Sequence, residues 1–191
     1  MKRIGLFFGS FNPIHVGHLI IGNYMANYTD LDEVWFVVSP QSPFKKKASL
    51  ASSYDRLEMV ELAIAGVDRL RASDIEFHLP IPSYTIDTLT YLHERHPNYS
   101  FSLIMGEDNL ENFKKWKNAD VLLSNYSIHV YPRPGYRATD LRTHPKVTIT
   151  ESPLMEISST FIRKAITEDK SIDYLVPQAV KEYIDQKALY L

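Results

Sequence analysis

Ile4-Gly5-Leu6-Phe7-Phe8-Gly9-Ser10-Phe11-Asn12-Pro13-Ile14-His15-Val16-Gly17-His18 opens on an unbroken apolar run and closes on two histidines three residues apart. Residues 4–8 show no polar alternation, as expected of a central parallel strand covered on both faces. Residues 17–28 then carry Leu19, Ile20 and Met25 at helical spacing. The block 9–18 therefore joins a first strand to a first helix. In open α/β sheets, ligands bind beyond the carboxyl ends of the strands, where helix starts offer free N–H groups and a positive dipole end to anions. Four of the seven glycines (Gly5, Gly9, Gly17 and Gly22) fall in this region. Glycine suits a tight turn or a close approach, and Gly17 is read as letting a ligand reach the backbone. His15 and His18 share one helix face, so their ring N–H groups could point at phosphate oxygens. The block fits neither the Gly-x-Gly-x-x-Gly dinucleotide fingerprint nor the Gly-Lys-Ser/Thr phosphate loop. That argues against a hydride-transfer enzyme and against an ordinary ATPase.

Working outward, residues 33–38 read as a second strand, stopped by Ser39-Pro40. Residues 41–52 hold three lysines and several serines around Pro43 and read as a mobile basic loop, expected to order over a bound triphosphate. Ser52-Ser53-Tyr54-Asp55 resembles a capping-box helix start, and that helix is expected to run to about residue 65. A third strand is expected within 69–77. A helix spans 83–95, capped by Ser83 and stopped before Pro97. A fourth strand (99–105) ends at Gly106. Residues 110–123 read as helical with a break near Trp116. Strands at 127–131 and 147–151 and helices at 158–167 and 177–186 complete the chain. This alternation predicts an α/β fold: a doubly wound, Rossmann-like parallel sheet with helices on both faces and right-handed crossovers. Strand order cannot be read from one sequence, and residues 133–146 are assigned no function.

The 191 residues are expected to form a single domain spanning 1–191. With 45% hydrophobic residues there is enough for a core, and a net charge of −2 gives no general pull toward nucleic acid or anionic membrane. Cysteine is absent, so disulfides, thiolate chemistry and Cys-ligated metals are excluded. The composition fits a reducing, cytoplasmic setting. The charged start Met1-Lys2-Arg3 is followed by too short an apolar run for a signal peptide, and nothing approaches the roughly 18 apolar residues of a membrane span. Neither a nucleic-acid nor a membrane partner is expected. A homo-oligomer is compatible with the sequence, which leaves the oligomeric state open.

The block Gly-Ser-Phe-Asn-Pro-Ile-His-x-Gly-His resembles the signature of the HxGH nucleotidylyltransferases. Further blocks, in order along nearly the whole chain, narrow the resemblance to the bacterial nicotinate-nucleotide adenylyltransferases. Pro40-Gln41-Ser42-Pro43-Phe44-Lys45 is similar to that family's Pro-x-x-Pro-His-Lys, and Pro82-Ser83-Tyr84-Thr85 to its Pro-Ser-Tyr-Thr. Gly106-Glu107-Asp108 with Trp116 is similar to its Gly-x-Asp and downstream Trp. Ile157-Ser158-Ser159-Thr160-Phe161-Ile162-Arg163 is similar to its Ile-Ser-(Ser/Gly)-Thr-x-Ile-Arg. Two departures stand out. Many members have Gly-Gly-Thr-Phe-Asp-Pro in the first block, and Phe44 stands where the family has His. The second leaves the loop's charge to Lys45, Lys46 and Lys47.

The resemblance implies transfer of AMP from ATP to nicotinate mononucleotide, with pyrophosphate leaving and Mg²⁺ held mainly by ATP phosphates and water. The attacking phosphate monoester is already ionised near neutral pH, so positioning and charge stabilisation remain as the enzyme's task. The resemblance implies catalytic roles for His18, His15, Lys45 and Arg163. It implies ATP contacts from Gly9, Ser10, Phe11, His15, Gly17, His18, Gly106, Asp108, Ile157, Ser158, Ser159 and Arg163. The mononucleotide would meet Ser10, Phe11, Lys45, Tyr84, Thr85 and Trp116, with Trp116 stacking on the pyridine. Other readings stay open: a nicotinamide-nucleotide or phosphopantetheine acceptor, or a non-catalytic nucleotide sensor. The Pro-Ser-Tyr-Thr block with Trp116 argues against phosphopantetheine. The retained His15, His18 and Arg163 argue against a sensor.

Overall fold

A computed structural model describes residues 1–40, 50–136 and 140–191. Six strands, β1 (Lys2–Gly9), β2 (Glu33–Val38), β3 (Leu70–Ser73), β4 (Tyr99–Gly106), β5 (Ser127–Tyr131) and β6 (Val147–Ile149), form one all-parallel sheet in the order β3-β2-β1-β4-β5-β6. The expected doubly wound sheet is present, and the order the sequence withheld is the Rossmann one. Strand direction of growth reverses between β1 and β4, so a crevice opens at their carboxyl ends, the place such sheets use for ligands. The 9–18 block leaves β1 there, and Gly106 ends β4 beside it.

Side-chain alternation divides the core. Phe7, Val34, Phe36 and Val38 point to one face, under α1 (Val16–Tyr28), α2 (Ser53–Ile64), α6 (Ser159–Thr167) and α7 (Gln178–Lys187). Ile4, Leu6, Trp35, Val37 and Leu103 point to the other, under α3 (Thr85–Arg95), α4 (Glu107–Glu111) and α5 (Ala119–Asn125). Both faces are covered, which is why β1 and β2 read as continuous apolar runs. Among the described residues no helix is long and apolar enough to cross a membrane.

Three local expectations are corrected. The third strand stops at Ser73, and residues Ile75–His78 form a 3₁₀ turn closed by Phe77 N–H donating to Asp74 O at 2.7 Å. β3 is an edge strand paired only with β2, so nothing extends its ladder past that register. Ser83 does not cap α3. The N-cap is Tyr84, and the Ser83 hydroxyl donates to Glu76 Oε2 at 2.9 Å. The sixth strand ends at Ile149, after which Thr150 N–H turns to Val130 O at 2.8 Å. The 41–52 expectation, Lys45 included, lies outside the described residues except for its last three positions.

Arg56 of α2 is 1% exposed, yet its guanidinium meets no carboxylate among the described residues. It donates instead to four backbone carbonyls: Ser10 (2.6 Å), Ser39 (2.8 Å), Pro40 (3.0 Å) and, from Nε, Ala51 (3.1 Å). The segments after β1, after β2 and before α2 are thus pinned to one planar fork. Replacing Arg56 by Met would strand several buried carbonyls, each costing about 1–3 kcal/mol. Arg56→Met is expected to lose at least about 3 kcal/mol of unfolding free energy in urea titrations. A loss within about 0.5 kcal/mol, as for an ordinary surface change, would contradict this account.

Candidate active site

His15 is the N-cap of α1, with extended backbone (φ −146°, ψ 170°). Its N–H donates to His18 Nδ1 at 3.3 Å, and the two imidazoles stack with centroids 3.7 Å apart. Because His18 Nδ1 is an acceptor, the neutral ring carries its proton on Nε2. His15 is buried, and its Nδ1 has no hydrogen-bond partner among the described residues. Burial, and secondarily the nearby Arg133 cation, lowers the His15 pKa to about 4. His15 is therefore neutral near pH 7.

A narrow cleft of about 20 Å³ is lined by His15, Gly17, His18, Arg133, Met155 and Ile157, among others. A larger pocket of about 730 Å³ opens beside it, lined by Gly9, Ser10, Glu76, Ser83, Tyr84, Thr85, Trp116 and Lys117, among others. Phe7 and Tyr131 line both, so the two spaces share a wall over the ends of β1 and β5. In the larger pocket Trp116 packs on Phe113 with centroids 5.2 Å apart. Lys117 Nζ sits 4.6 Å from the Tyr84 ring centre and pairs with Asp87 at 2.8 Å.

Asp108 follows β4 at the crevice. Its Oδ1 is buried without a hydrogen bond, 3.6 Å from Arg133 Nε, which is likewise without one. A Cβ on Gly106 would lie 2.3 Å from that same Oδ1, so glycine makes the carboxylate's position possible. Buried polar atoms of this kind need an explanation, and ligand contact is one. Among the described residues no group of three or more His, Asp or Glu could hold a metal ion.

Other residues named from the sequence also serve the packing of the first loop. The Phe11 ring is 1% exposed and packs edge-on to Phe7, Phe36 and His18. It lines neither pocket. A Cβ on Gly9 would lie 2.7 Å from that ring. Gly17 lines the cleft together with Ile157, whose Cγ2 would be 2.6 Å from a Cβ added at Gly17. Ser158, Ser159 and Arg163 do not line either pocket. Ser158 Oγ caps α6 at Phe161 N–H (3.2 Å), Ser159 Oγ donates to Pro13 O (2.9 Å), and Arg163 Nη1 donates to Asn12 O (2.7 Å). Ser159 and Arg163 clamp the first loop, while Ser158 serves α6 itself. Sequence reasoning passed over Arg133, Glu76 and Tyr131. Arg133 had a usable signal, a basic residue just past a strand's carboxyl end.

Residues 6–165 match the model of a family described as cytidylyltransferase-like. The chain is 58% identical over 188 residues to the "probable nicotinate-nucleotide adenylyltransferase" of Cytophaga hutchinsonii, covering 98% of each chain. It is 53% identical to the protein of the same description from Christiangramia forsetii, covering 99% of this chain and 98% of that one. Among solved structures it is similar to Plasmodium falciparum nicotinic acid mononucleotide adenylyltransferase complexed with NaAD. The TM-score is 0.84 at 25% identity, covering 100% of this chain and 98% of that one.

The lowered His15 pKa has a consequence for stability. The unfolded chain binds a proton near 6.5, while the folded His15 resists protonation until about 4. Its contribution is complete above pH 6.5 and is lost as pH falls toward 4. Between those limits the native chain should lose up to about 3 kcal/mol that His15→Asn does not lose. Paired urea denaturations of the two proteins from pH 7 to 4.5 measure the difference; parallel curves would show that His15 protonates freely in the fold.

Proposed function

The chain belongs to the nicotinate-nucleotide adenylyltransferase family of cytidylyltransferase-like proteins, and on that premise we propose that it transfers AMP from ATP to nicotinate mononucleotide, releasing pyrophosphate. The observation that carries this reading is the common wall. A histidine- and arginine-lined cleft at a helix start adjoins an aromatic pocket large enough for a mononucleotide, across Phe7 and Tyr131. ATP phosphates belong in the first space and the pyridine in the second. The acceptor's phosphate then approaches the α-phosphorus between them.

The acceptor phosphate oxygen forms a bond to the α-phosphorus as the bond to the pyrophosphate oxygen breaks, in line. His18 contributes its Nε2–H and the α1 start contributes backbone N–H groups, all donors to charge developing on the α-phosphate. Neutral His15 holds His18 in that tautomer through its backbone N–H. Gly9 and Ser10 border the approach, and Phe11 supports it from the core by packing against Phe7 and His18. Asp108 with Gly106 meets the ATP ribose, and Ile157 packs on the nucleotide side. Arg163 and Ser159 act by fixing the Asn12–Pro13 turn, and Ser158 by capping the helix that carries them. Lys45 is assigned the β- and γ-phosphates on its charge and family position. Mg²⁺ enters on ATP: an ion bound chiefly by phosphate oxygens and water needs no protein cage, and it would neutralise charge on the leaving pyrophosphate.

Trp116 stacks on the pyridine, and the α3 start meets the substituent. First-turn N–H groups such as those of Thr85 and Ile86 have no acceptor within the helix. They can all face a carboxylate, whereas a carboxamide turns its NH₂ toward one of them and leaves a clash of donors, costing about 1–3 kcal/mol when buried. Nicotinate mononucleotide is therefore expected to exceed its amide in kcat/KM by about tenfold or more. A pyrophosphate-release assay at one concentration of ATP and Mg²⁺, with nicotinate mononucleotide, its amide and phosphopantetheine as acceptors, tests both the reaction and the preference. Release with none of them would sink the enzyme reading, and equal values for the two mononucleotides would sink the acceptor assignment.

A further inference from the structure

Glu76 is the one buried carboxylate in the acceptor pocket that the mechanism leaves unused. It is 3% exposed and lines the same space as Tyr84, Thr85 and Trp116. Oε2 accepts from Ser83 Oγ at 2.9 Å and Oε1 from Thr88 Oγ1 at 3.0 Å. Both donors are neutral hydroxyls, and among the described residues Glu76 has no ion pair. Among the described residues, the two lysines that line the pocket are engaged elsewhere: Lys117 with Asp87 and the Tyr84 ring, Lys115 with Asn112 at 2.8 Å. The α3 start adds only a partial positive charge. A carboxylate removed from water ordinarily keeps a full cation beside it, because hydroxyl donors satisfy its lone pairs without cancelling its charge.

The proposed acceptor supplies such a cation. Its pyridine nitrogen is bonded to ribose, so the ring carries a fixed positive charge at every pH, and its 3-carboxylate makes it a zwitterion. The pocket wall presents the complementary pair: free N–H groups at the α3 start for the carboxylate, and the Glu76 carboxylate for the ring nitrogen. The Trp116 face favours the same cationic ring. Resting on the acceptor reading above, we propose that Glu76 is a specificity-determining residue that counters the pyridinium charge and selects cationic over neutral pyridine rings.

The test compares nicotinate mononucleotide with its reduced dihydropyridine counterpart, which keeps the carboxylate, ribose and phosphate but has an uncharged ring. Both kcat/KM values are measured at saturating ATP and Mg²⁺ for the native protein, Glu76→Gln and Glu76→Asp. The native protein should prefer the oxidised ring by about tenfold or more. In Glu76→Gln that ratio should shrink by about tenfold, through a raised KM for the oxidised acceptor, with KM for ATP unchanged. Glu76→Asp withdraws the charge by one methylene and should give an intermediate ratio, which keeps the test decisive if Glu76→Gln does not fold. Losses that fall equally on both acceptors, leaving the ratio as in the native protein, would mean that Glu76 only shapes the turn, and the proposal would be overturned. So would a native ratio near one. If the native protein uses neither ring while binding ATP, the acceptor reading fails and this inference fails with it; a failure of the ratio alone leaves that reading intact.

Discussion

The Arg56 guanidinium, buried and bonded to four backbone carbonyls, is the constraint from which the geometry of the crevice follows. A planar cation with five N–H donors can hold several chain segments at once, which an ammonium or a neutral side chain cannot. Here it joins the ends of the loops leaving β1 and β2 to the segment entering α2. Asn12 repeats the device with an acceptor. Its Oδ1 takes the Ala51 N–H at 3.0 Å and the Tyr190 hydroxyl at 2.9 Å. Its carbonyl takes Arg163, and the next carbonyl takes Ser159. Residues distant in sequence thus fix a loop that also buries Phe11 and Ile14 in the core.

That arrangement changes how the late helix motif is understood. Resemblance alone places Ser158, Ser159 and Arg163 on ATP phosphates. The bonds of Ser159 to Pro13 and of Arg163 to Asn12 give those two a structural task at the loop, and Ser158 caps their helix. Likewise, the glycines of the first block also make room for the protein itself. Gly9 admits the Phe11 ring and Gly17 admits Ile157, as Gly106 at the end of β4 admits the Asp108 carboxylate. A glycine in a ligand loop can be needed because a neighbouring side chain must pack there first.

What could be read in advance was local. The apolar runs at residues 4–8 and 33–38 mark strands covered on both faces, and the His-x-Gly-His spacing marks the start of α1 at the crevice. Strand order depends on pairings such as Lys2 with Tyr99, which no local pattern encodes. Glu76 looked like part of a strand because its partners Ser83 and Thr88 lie seven and twelve residues on, where only the folded turn brings them together. Ser83 looked like a cap because its hydroxyl fits that use equally well until a buried carboxylate competes for it. Phe11 fell inside a ligand motif, yet its ring completes the core under Phe7 and Phe36.

The central claim is that one continuous trough, walled by Phe7 and Tyr131, holds the two halves of a dinucleotide on either side of the β1–β4 switch point. The most direct measurement is a crystal structure of the protein with nicotinate adenine dinucleotide. The account predicts the adenosine half beside Asp108, Arg133 and Ile157, the bridging phosphates at the His15–His18 helix start, and the pyridine against Trp116 and the α3 start. A dinucleotide bound in the reverse sense, or lying outside the Phe7–Tyr131 wall, would contradict it.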